Sequence, residues 1–348
     1  MKEPSRSIKK TAVRHLKGIG EIFELAPNSH YKADDLARTL VETSLTNGSA
    51  EQCLSPSPDT VLRRLHRTDE EAFSQVVWRS NAHLLKKLRL PRMVTIAIDY
   101  TTLPYYGIEQ PSLVSCSDLP GTTFGVRFAM LSVVEAGRTF TLRARQVGPF
   151  ASKSKVLLEM LDAAKKLIKP KLVLLDRAFF TVDVIKALKS NKTHFLMPAK
   201  RTAPIKRLCR AFGRKEVPPV VDYVVKTAGD SVHVKLIFVR RKTKEGMKTY
   251  VFVSDIGFEP DVASELYRRR WRIETNNREV EKFRARTTSR SMKIRRMYYV
   301  LAALLYNIWI VMRNVVGNVT SCRFKRTLEI MLSALLPATL CNDTGPSL

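Results

Sequence analysis

The sequence predicts an α/β fold: a mixed sheet with helices on its faces, entered through a helical N-terminal segment. Two short β-rich runs, Met93–Ile98 and Leu172–Leu175, are apolar at successive positions, as in central strands buried on both faces. The stretch between them holds a hairpin pattern and then a helix, the alternation that builds a mixed sheet. Before Pro91 no β-rich run occurs, only polar segments with helical spacing.

In chain order, Ala33–Val41 has helical apolar spacing with Asp34 and Asp35 in its first turn. A Ser/Pro-rich turn at Leu54–Pro58 follows, then a basic helix over Ser57–Leu65 with Ser57 as cap and Pro58 at the first position. These two helices fit either a DNA-reading helix-turn-helix or an ordinary bundle with a solvated basic face. The strand Met93–Ile98 is expected to stop at Asp99. Phe124–Val134 and Thr139–Val147 pair across a turn at Glu135-Ala136-Gly137-Arg138. Ser154–Ile168 is an amphipathic helix ended by Pro170, and Leu172–Leu175 is a strand stopping at Asp176. Val182–Leu188 is helical, and His194–Met197 is a further strand. Over Val217–Asp255 the pattern turns to β, with strands at Val220–Lys226, Val232–Arg240 and Thr249–Val253. One long helix then spans Val262–Ala285, and a second, very apolar one Met292–Val315. The resulting division is 1–90 helical, with DNA binding expected; 91–200 first part of the sheet core; 201–258 β-rich insertion; 259–316 last core helices; 317–348 C-terminal helix and loose tail.

Composition narrows the partner class. Hydrophobic residues make up 45% of the chain, enough for a packed core, and the formal net charge is +28. Such a surplus repels itself unless a polyanion screens it, so nucleic acid is the expected partner. A ribosomal or basic membrane-surface protein would share the charge. Tyr298–Met312 is apolar but shorter than the ~20 residues a bilayer requires, and it contains Asn307, so a buried helix and no membrane are expected. The N-terminus Met1-Lys2-Glu3-Pro4-Ser5-Arg6 lacks the apolar run of a signal peptide. The five cysteines are far apart, the histidines show no ligand spacing, and no G-x-x-x-x-G-K-[ST] loop is present. Reduced thiols in a cytoplasmic protein follow as the expectation.

The chemistry centres on three acids. Ile96-Ala97-Ile98-Asp99 and Val173-Leu174-Leu175-Asp176 each deliver an aspartate at the carboxyl end of a strand, where α/β sheets commonly assemble sites. On the expected long helix, at about 100° per residue, Tyr267, Arg270, Glu274, Arg278 and the pair Glu281 and Lys282 fall on one broad stripe. Between Tyr267 and Arg296 stand twelve basic and three acidic residues. Hard oxygen ligands among guanidiniums suit Mg²⁺ and a scissile phosphate. Basic pairs at Lys200-Arg201 and Lys206-Arg207, with Arg210, fit DNA-backbone contacts.

The strand ending Ile98-Asp99-Tyr100-Thr101, the strand and turn Leu174-Leu175-Asp176-Arg177-Ala178-Phe179-Phe180, and the helix bearing Tyr267, Arg270 and Glu274 resemble the DDE insertion-sequence transposases, whose last acid lies in a Y-x2-R-x3-E-x6-K signature. Leu304-Leu305-Tyr306-Asn307-Ile308-Trp309 is similar to their helix after the catalytic one. The resemblance spans roughly Pro91 to Val315. It implies a ribonuclease-H-like core with a β-rich insertion before the last catalytic helix. It also implies Asp99, Asp176 and Glu274 as catalytic and metal-ligating residues, holding two Mg²⁺ ions with Mn²⁺ able to substitute, and a homodimer in the DNA complex. Tyr267 and Arg270 would hold phosphates near the cleavage point, and Trp271 would stack on a displaced base. The signature Lys position is Glu281 here; Lys282 stands one residue later and Arg278 one turn earlier, and Arg278 is the expected replacement. Two alternatives stand beside a transposase: a ribonuclease-H-like nuclease that stops after hydrolysis, and a non-enzymatic DNA-binding protein derived from a transposase.

Overall fold

The computed structural model describes residues 14–15, 17–52, 55–135, 138–244, 246–317 and 319–335. Leu54, the turn residues Ala136 and Gly137, the N-terminal Met1-Lys2-Glu3-Pro4-Ser5-Arg6 and the expected tail beyond 335 lie outside these. Contacts divide the chain into two compact units, 89–278, and 1–88 with 279–348.

The helical unit begins with α1 (Ala33–Leu45), α2 (Pro58–Arg67) and α3 (Glu70–Lys86). The Asp35 carboxylate accepts from the Lys32 backbone N–H at 2.9 Å, closing the first turn of α1, which buries Leu36, Leu40 and Val41. Ser57 caps α2 by accepting from the Thr60 N–H at 3.4 Å, and Val61 and Leu65 face inward. The helix α3 goes beyond the sequence reading, although Asp69, which accepts from Glu71 and Ala72 N–H, is an ordinary cap. Its apolar residues Phe73, Val77 and Leu84 keep helical spacing and are buried.

The other unit is built on one sheet. Its strands are β1 (Val94–Pro104), β2 (Val114–Ser115), β3 (Phe124–Glu135), β4 (Arg138–Val147), β5 (Pro170–Leu175), β6 (Phe195–Pro198), β7 (Val220–Thr227), β8 (Asp230–Thr243) and β9 (Gly246–Ser254). The order is β2-β3-β1-β5-β6-β9-β8-β7, with β4 also paired to β3. The pairs β1–β5 and β5–β6 are parallel and the others antiparallel. Parallel neighbours require crossovers, which α4 (Lys153–Lys165) and α5 (Val182–Ser190) supply. Both start on side-chain caps, Ser152 and Thr181.

Three expectations change here. The first strand does not stop at Asp99: β3 stays paired with it as far as Pro104, so Asp99 lies within a strand. The segment expected as a β-rich insertion opens with a helix, α6 (Ala203–Gly213), whose basic residues masked its single buried anchor, Ile205. Its strands also extend the main sheet, because β9 pairs antiparallel with β6. The long helix expected over Val262–Ala285 is two helices, α7 (Pro260–Arg268) and α8 (Trp271–Glu281).

The chain returns to the helical unit with α9 (Met292–Val316) and α10 (Ser321–Leu335). At 25 residues α9 is longer than the apolar core read from sequence and reaches membrane-spanning length, yet most of it is buried against α1, α2 and α3. Asn307 in α9 donates to Asn81 in α3 at 2.9 Å, so its polar group is satisfied inside this packing. Phe283, fully buried, meets Phe324, Trp309 and Tyr306 with ring centroids 6.1, 6.2 and 6.5 Å away. Phe283→Ala leaves a void among these rings that they cannot fill together. We expect a loss of about 3–5 kcal/mol, measured as a lower urea midpoint of the helical signal.

Candidate active site

The two aspartates are set side by side by strand register. In the parallel pair β1–β5, Ile98 is opposite Leu175, so Asp99 and Asp176 are the next residues on adjacent strands. Strand neighbours lie about 4.8 Å apart, which brings the two acids together at the edge of that pairing. There β5 ends, because the Asp176 carboxylate accepts from the Arg177 N–H at 2.6 Å and caps a 3₁₀ turn. Asp99 accepts from its neighbour, the Tyr100 N–H, at 2.9 Å. The Tyr100 ring stacks on Phe179 at 5.0 Å, tying the two strand ends together.

Glu274 comes from α8, and the junction before it shapes the site. Between α7 and α8 the backbone tightens: Arg270 N–H donates to Tyr267 O at 2.9 Å, Arg272 to Arg269 O at 3.1 Å and Ile273 to Arg270 O at 2.8 Å. Such i→i−3 bonding breaks an α-helix and recurs at functional positions. Arg270 then reaches two acids at once. One guanidinium nitrogen lies 3.3 Å from Asp99 and the other 2.5 Å from Glu274. Arg269, next to it, turns to Glu135 at 3.5 Å, and Arg272 donates to the Glu135 carbonyl at 2.6 Å. Burial alone would raise the Glu135 acid; the Thr95 N–H and Lys171 outweigh it and hold it below its ordinary value.

Electrostatics single out Asp99. Burial pushes its carboxyl up to about 6, Arg270 pulls the other way, and Asp176 and Glu274 add to the rise. Burial also raises the Tyr267 phenol. Its ring packs on Phe252 at 5.0 Å and lies under the Arg270 guanidinium at 5.4 Å. Among the described residues, no three His, Cys, Asp or Glu side chains stand close enough to form a ready metal cluster. The donor set nevertheless fits a hard divalent cation: three carboxylates that repel one another, two of them bridged by Arg270.

A cavity of about 750 Å³ opens beside these residues. Asp176, Tyr267, Arg270 and Trp271 line it, together with Lys200 and Arg241. Trp271 is 61% exposed there, presenting an aromatic face to solvent. Of the residues expected at the site, Asp99, Asp176, Tyr267, Arg270, Trp271 and Glu274 thus gather at one place. Arg278 lies exposed further along α8. Lys282 does not share that stripe: α8 ends at Glu281, and Lys282 pairs back to Glu279 at 2.5 Å. Glu281 is raised by burial, against the pull of Arg284. The sequence reading missed Glu135, which looked like a residue of the hairpin turn, and two residues on the cavity wall: Arg241, just past an expected strand end, and Tyr250, which looked like an ordinary strand residue.

Residues 146–308 match the family model described as Transposase DDE domain, a span that includes Asp176 and Glu274 and begins after Asp99. Among solved structures, the chain is similar to the one described as "Cryo-EM structure of piggyBac transposase synaptic complex with hairpin DNA", with a TM-score of 0.58 and 12% identity. The match covers 97% of this chain and 80% of that one. No curated protein sequence matches. The structural likeness is one of fold: a mixed α/β sheet flanked by helices.

The raised carboxyl of Asp99 carries a stability cost. A carboxylic acid whose folded value, about 6, lies above the ordinary ~3.9 disfavours the fold once it ionises. The cost is absent below the ordinary value and grows to about 2–3 kcal/mol as pH rises past 6. Asp99→Asn should therefore raise the melting temperature of the metal-free protein at pH 8, with the gain shrinking toward pH 5. A melting temperature unchanged or lowered at pH 8 would contradict the strain assigned to this site.

Proposed function

We infer that this chain, which carries a transposase DDE domain over residues 146–308, is a DNA transposase that cuts the ends of its element and joins them to target DNA through Asp99, Asp176 and Glu274. The observation that carries the residue assignment is the meeting of Asp99 from β1 and Glu274 from α8 on one guanidinium, with Asp176, next after β5, set beside Asp99 by strand register. Transposases of this class use divalent metal ions, and we take Mg²⁺ as the ion, with Mn²⁺ able to substitute. Bound between the carboxylates, two such ions would polarise the phosphate and stabilise the attacking and leaving oxygens.

The chain's own residues do the rest. Arg270 neutralises Asp99 and Glu274 in the free protein. Relieved of that task, it presents planar paired donors to the phosphate. Tyr267, fixed against Phe252, sets the position of that guanidinium and closes the cavity floor. In the first step water attacks the phosphorus, a P–O bond forms, and the bond to the 3′ oxygen breaks, leaving a 3′-OH and a 5′-phosphate. The 3′-OH then attacks a target phosphodiester in the same way. Trp271, open to the cavity, offers its face to a base displaced from the duplex at the cut. The partner we take is double-stranded DNA, a reading supported by the charge and by a structural relative solved with hairpin DNA. A homodimer would hold the two ends together, and a cytoplasmic, nucleoid-bound prokaryotic protein is the matching location. A nuclease that stops after hydrolysis would use the same acids; capture of labelled target DNA by the freed 3′-OH separates the two.

Three outcomes test this reading. Asp99→Ala, Asp176→Ala and Glu274→Ala should each abolish Mg²⁺-dependent strand cleavage while DNA binding persists; wild-type cleavage by any one removes that residue from the site. DNA affinity should fall about 10³-fold or more between 50 and 200 mM salt, because several phosphates are neutralised together. A nearly flat gel-shift series would count against an electrostatic surface. Arg278→Ala should lower cleavage of the element ends more than Lys282→Ala does, since Arg278 is exposed on α8 while Lys282 lies past its end and pairs with Glu279. A larger loss at Lys282 would mean that the signature lysine has shifted by one residue.

A further inference from the structure

The helix that carries Glu274 rests on the sheet through a buried polar contact. Asn276, two residues past Glu274, is 1% exposed, and its amide nitrogen donates to Thr141 Oγ1 at 2.8 Å and to Ser132 Oγ at 3.3 Å. Ser132 and Thr141 are themselves fully buried cross-strand partners in β3 and β4. Their pairing depends on an irregularity. Leu131 is opposite Arg143, so unbroken register would place Leu142 opposite Ser132, but the register shifts there and Thr141 takes the place. A bulge of this kind re-aims side chains, and here it sets two hydroxyls side by side under α8.

This contact is close to both ends of the acid pair. On its other edge Ser132 is opposite Ala97, two residues before Asp99, and residues two apart on a strand share a face. Asn276 is two residues from Glu274. Stability does not account for the choice of an amide. The Asn276 carbonyl oxygen is buried and meets no donor among the described residues, and a half-satisfied polar group is a worse filling than a well-packed apolar one. Directionality does account for it: apolar packing lets a helix slide or rotate, whereas hydrogen bonds to two fixed hydroxyls do not.

We propose that Asn276, held by Ser132 and Thr141, is a positioning residue that sets the rotation of α8 and so the placement of Glu274 against Asp99. The proposal rests on the reading of Asp99 and Glu274 as partners in cleavage. The test uses the full chain with Asn276→Leu, Ser132→Ala and Thr141→Val combined, and the single variants Thr141→Val and Thr141→Ser. The triple variant should unfold at or above the wild-type urea midpoint and bind DNA unchanged in EDTA, while kcat for end cleavage falls about tenfold or more at constant KM. Thr141→Ser, which keeps the hydroxyl, should retain the rate that Thr141→Val loses. Wild-type kcat in the triple variant, or equal losses in the Ser and Val variants, overturns the proposal. Should the triple variant fail to fold, the Ser and Val pair decides. Glu274→Ala, assayed alongside, separates the two readings: an active Glu274→Ala overturns the acid assignment and this proposal with it. An inactive one beside a fully active triple variant overturns this proposal alone.

Discussion

Carboxylates gathered in a partly buried place repel one another and lose hydration, and a single backbone N–H on each aspartate relieves only part of that cost. The larger relief at Asp99 comes from one side chain. Arg270 places its two terminal nitrogens on Asp99 and Glu274, and even so Asp99 stays near 6. Arg269 and Arg270, in the turn between α7 and α8, leave the backbone toward different carboxylates, Glu135 and Asp99. The tightened backbone between α7 and α8 sits at these two residues. A buried ion pair of this sort adds little net stability, but it fixes geometry, and loss of one partner strands the others.

Register supplies the rest of the geometry. Because β1 and β5 run parallel and Ile98 faces Leu175, two carboxylates arrive together without any loop to order. The strands then part company. Backbone pairing to Met130 continues through Asp99 and holds it inside the sheet, whereas Asp176 caps a turn and lines the open cavity. One aspartate is thereby desolvated and strained while the other stays at the rim. That asymmetry follows from where each strand loses its neighbour and from nothing in the residue types themselves.

Much of this was legible in the sequence, and the exceptions share a cause. Uniform apolar runs identified β1 and β5, caps such as Ser57 identified helix starts, and Tyr267, Arg270 and Glu274 stood out by spacing. What periodicity cannot show is a partner distant in the chain. Asp99 looked like a strand end because its strand turns polar there, yet Arg127, Phe128 and Ala129 of β3 pair on past it. The break at Arg269 was hidden because the charged residues on both sides keep helical spacing. The α6 helix was hidden by its own cations, since one buried Ile205 gives no stripe. Asn276 carried no signal, because its partners Ser132 and Thr141 are over 130 residues away.

The β-rich segment also proves to be more than an appendage. Antiparallel pairing of Leu196, Met197 and Pro198 with Ser254, Val253 and Phe252 makes β9 a direct continuation of the sheet that holds the aspartates. That same strand brings Tyr250 and Phe252 to the cavity wall, β8 brings Arg241, and the turn after β6 brings Lys200 and Arg201. Cations and aromatic rings are thus built on the same hydrogen-bonded frame as the acids, with α7 contributing Tyr267 and Arg268 across the cavity. The proposed cleavage, which requires a phosphodiester held within a fraction of an ångström of the carboxylates, gains from such a frame, because strands fix side chains more tightly than loops do. On the proposed function the length of β8 and β9 is therefore part of the site: β8 places Arg241 on the wall of the cavity that Asp176 also lines, and β9 joins both to the sheet through β6.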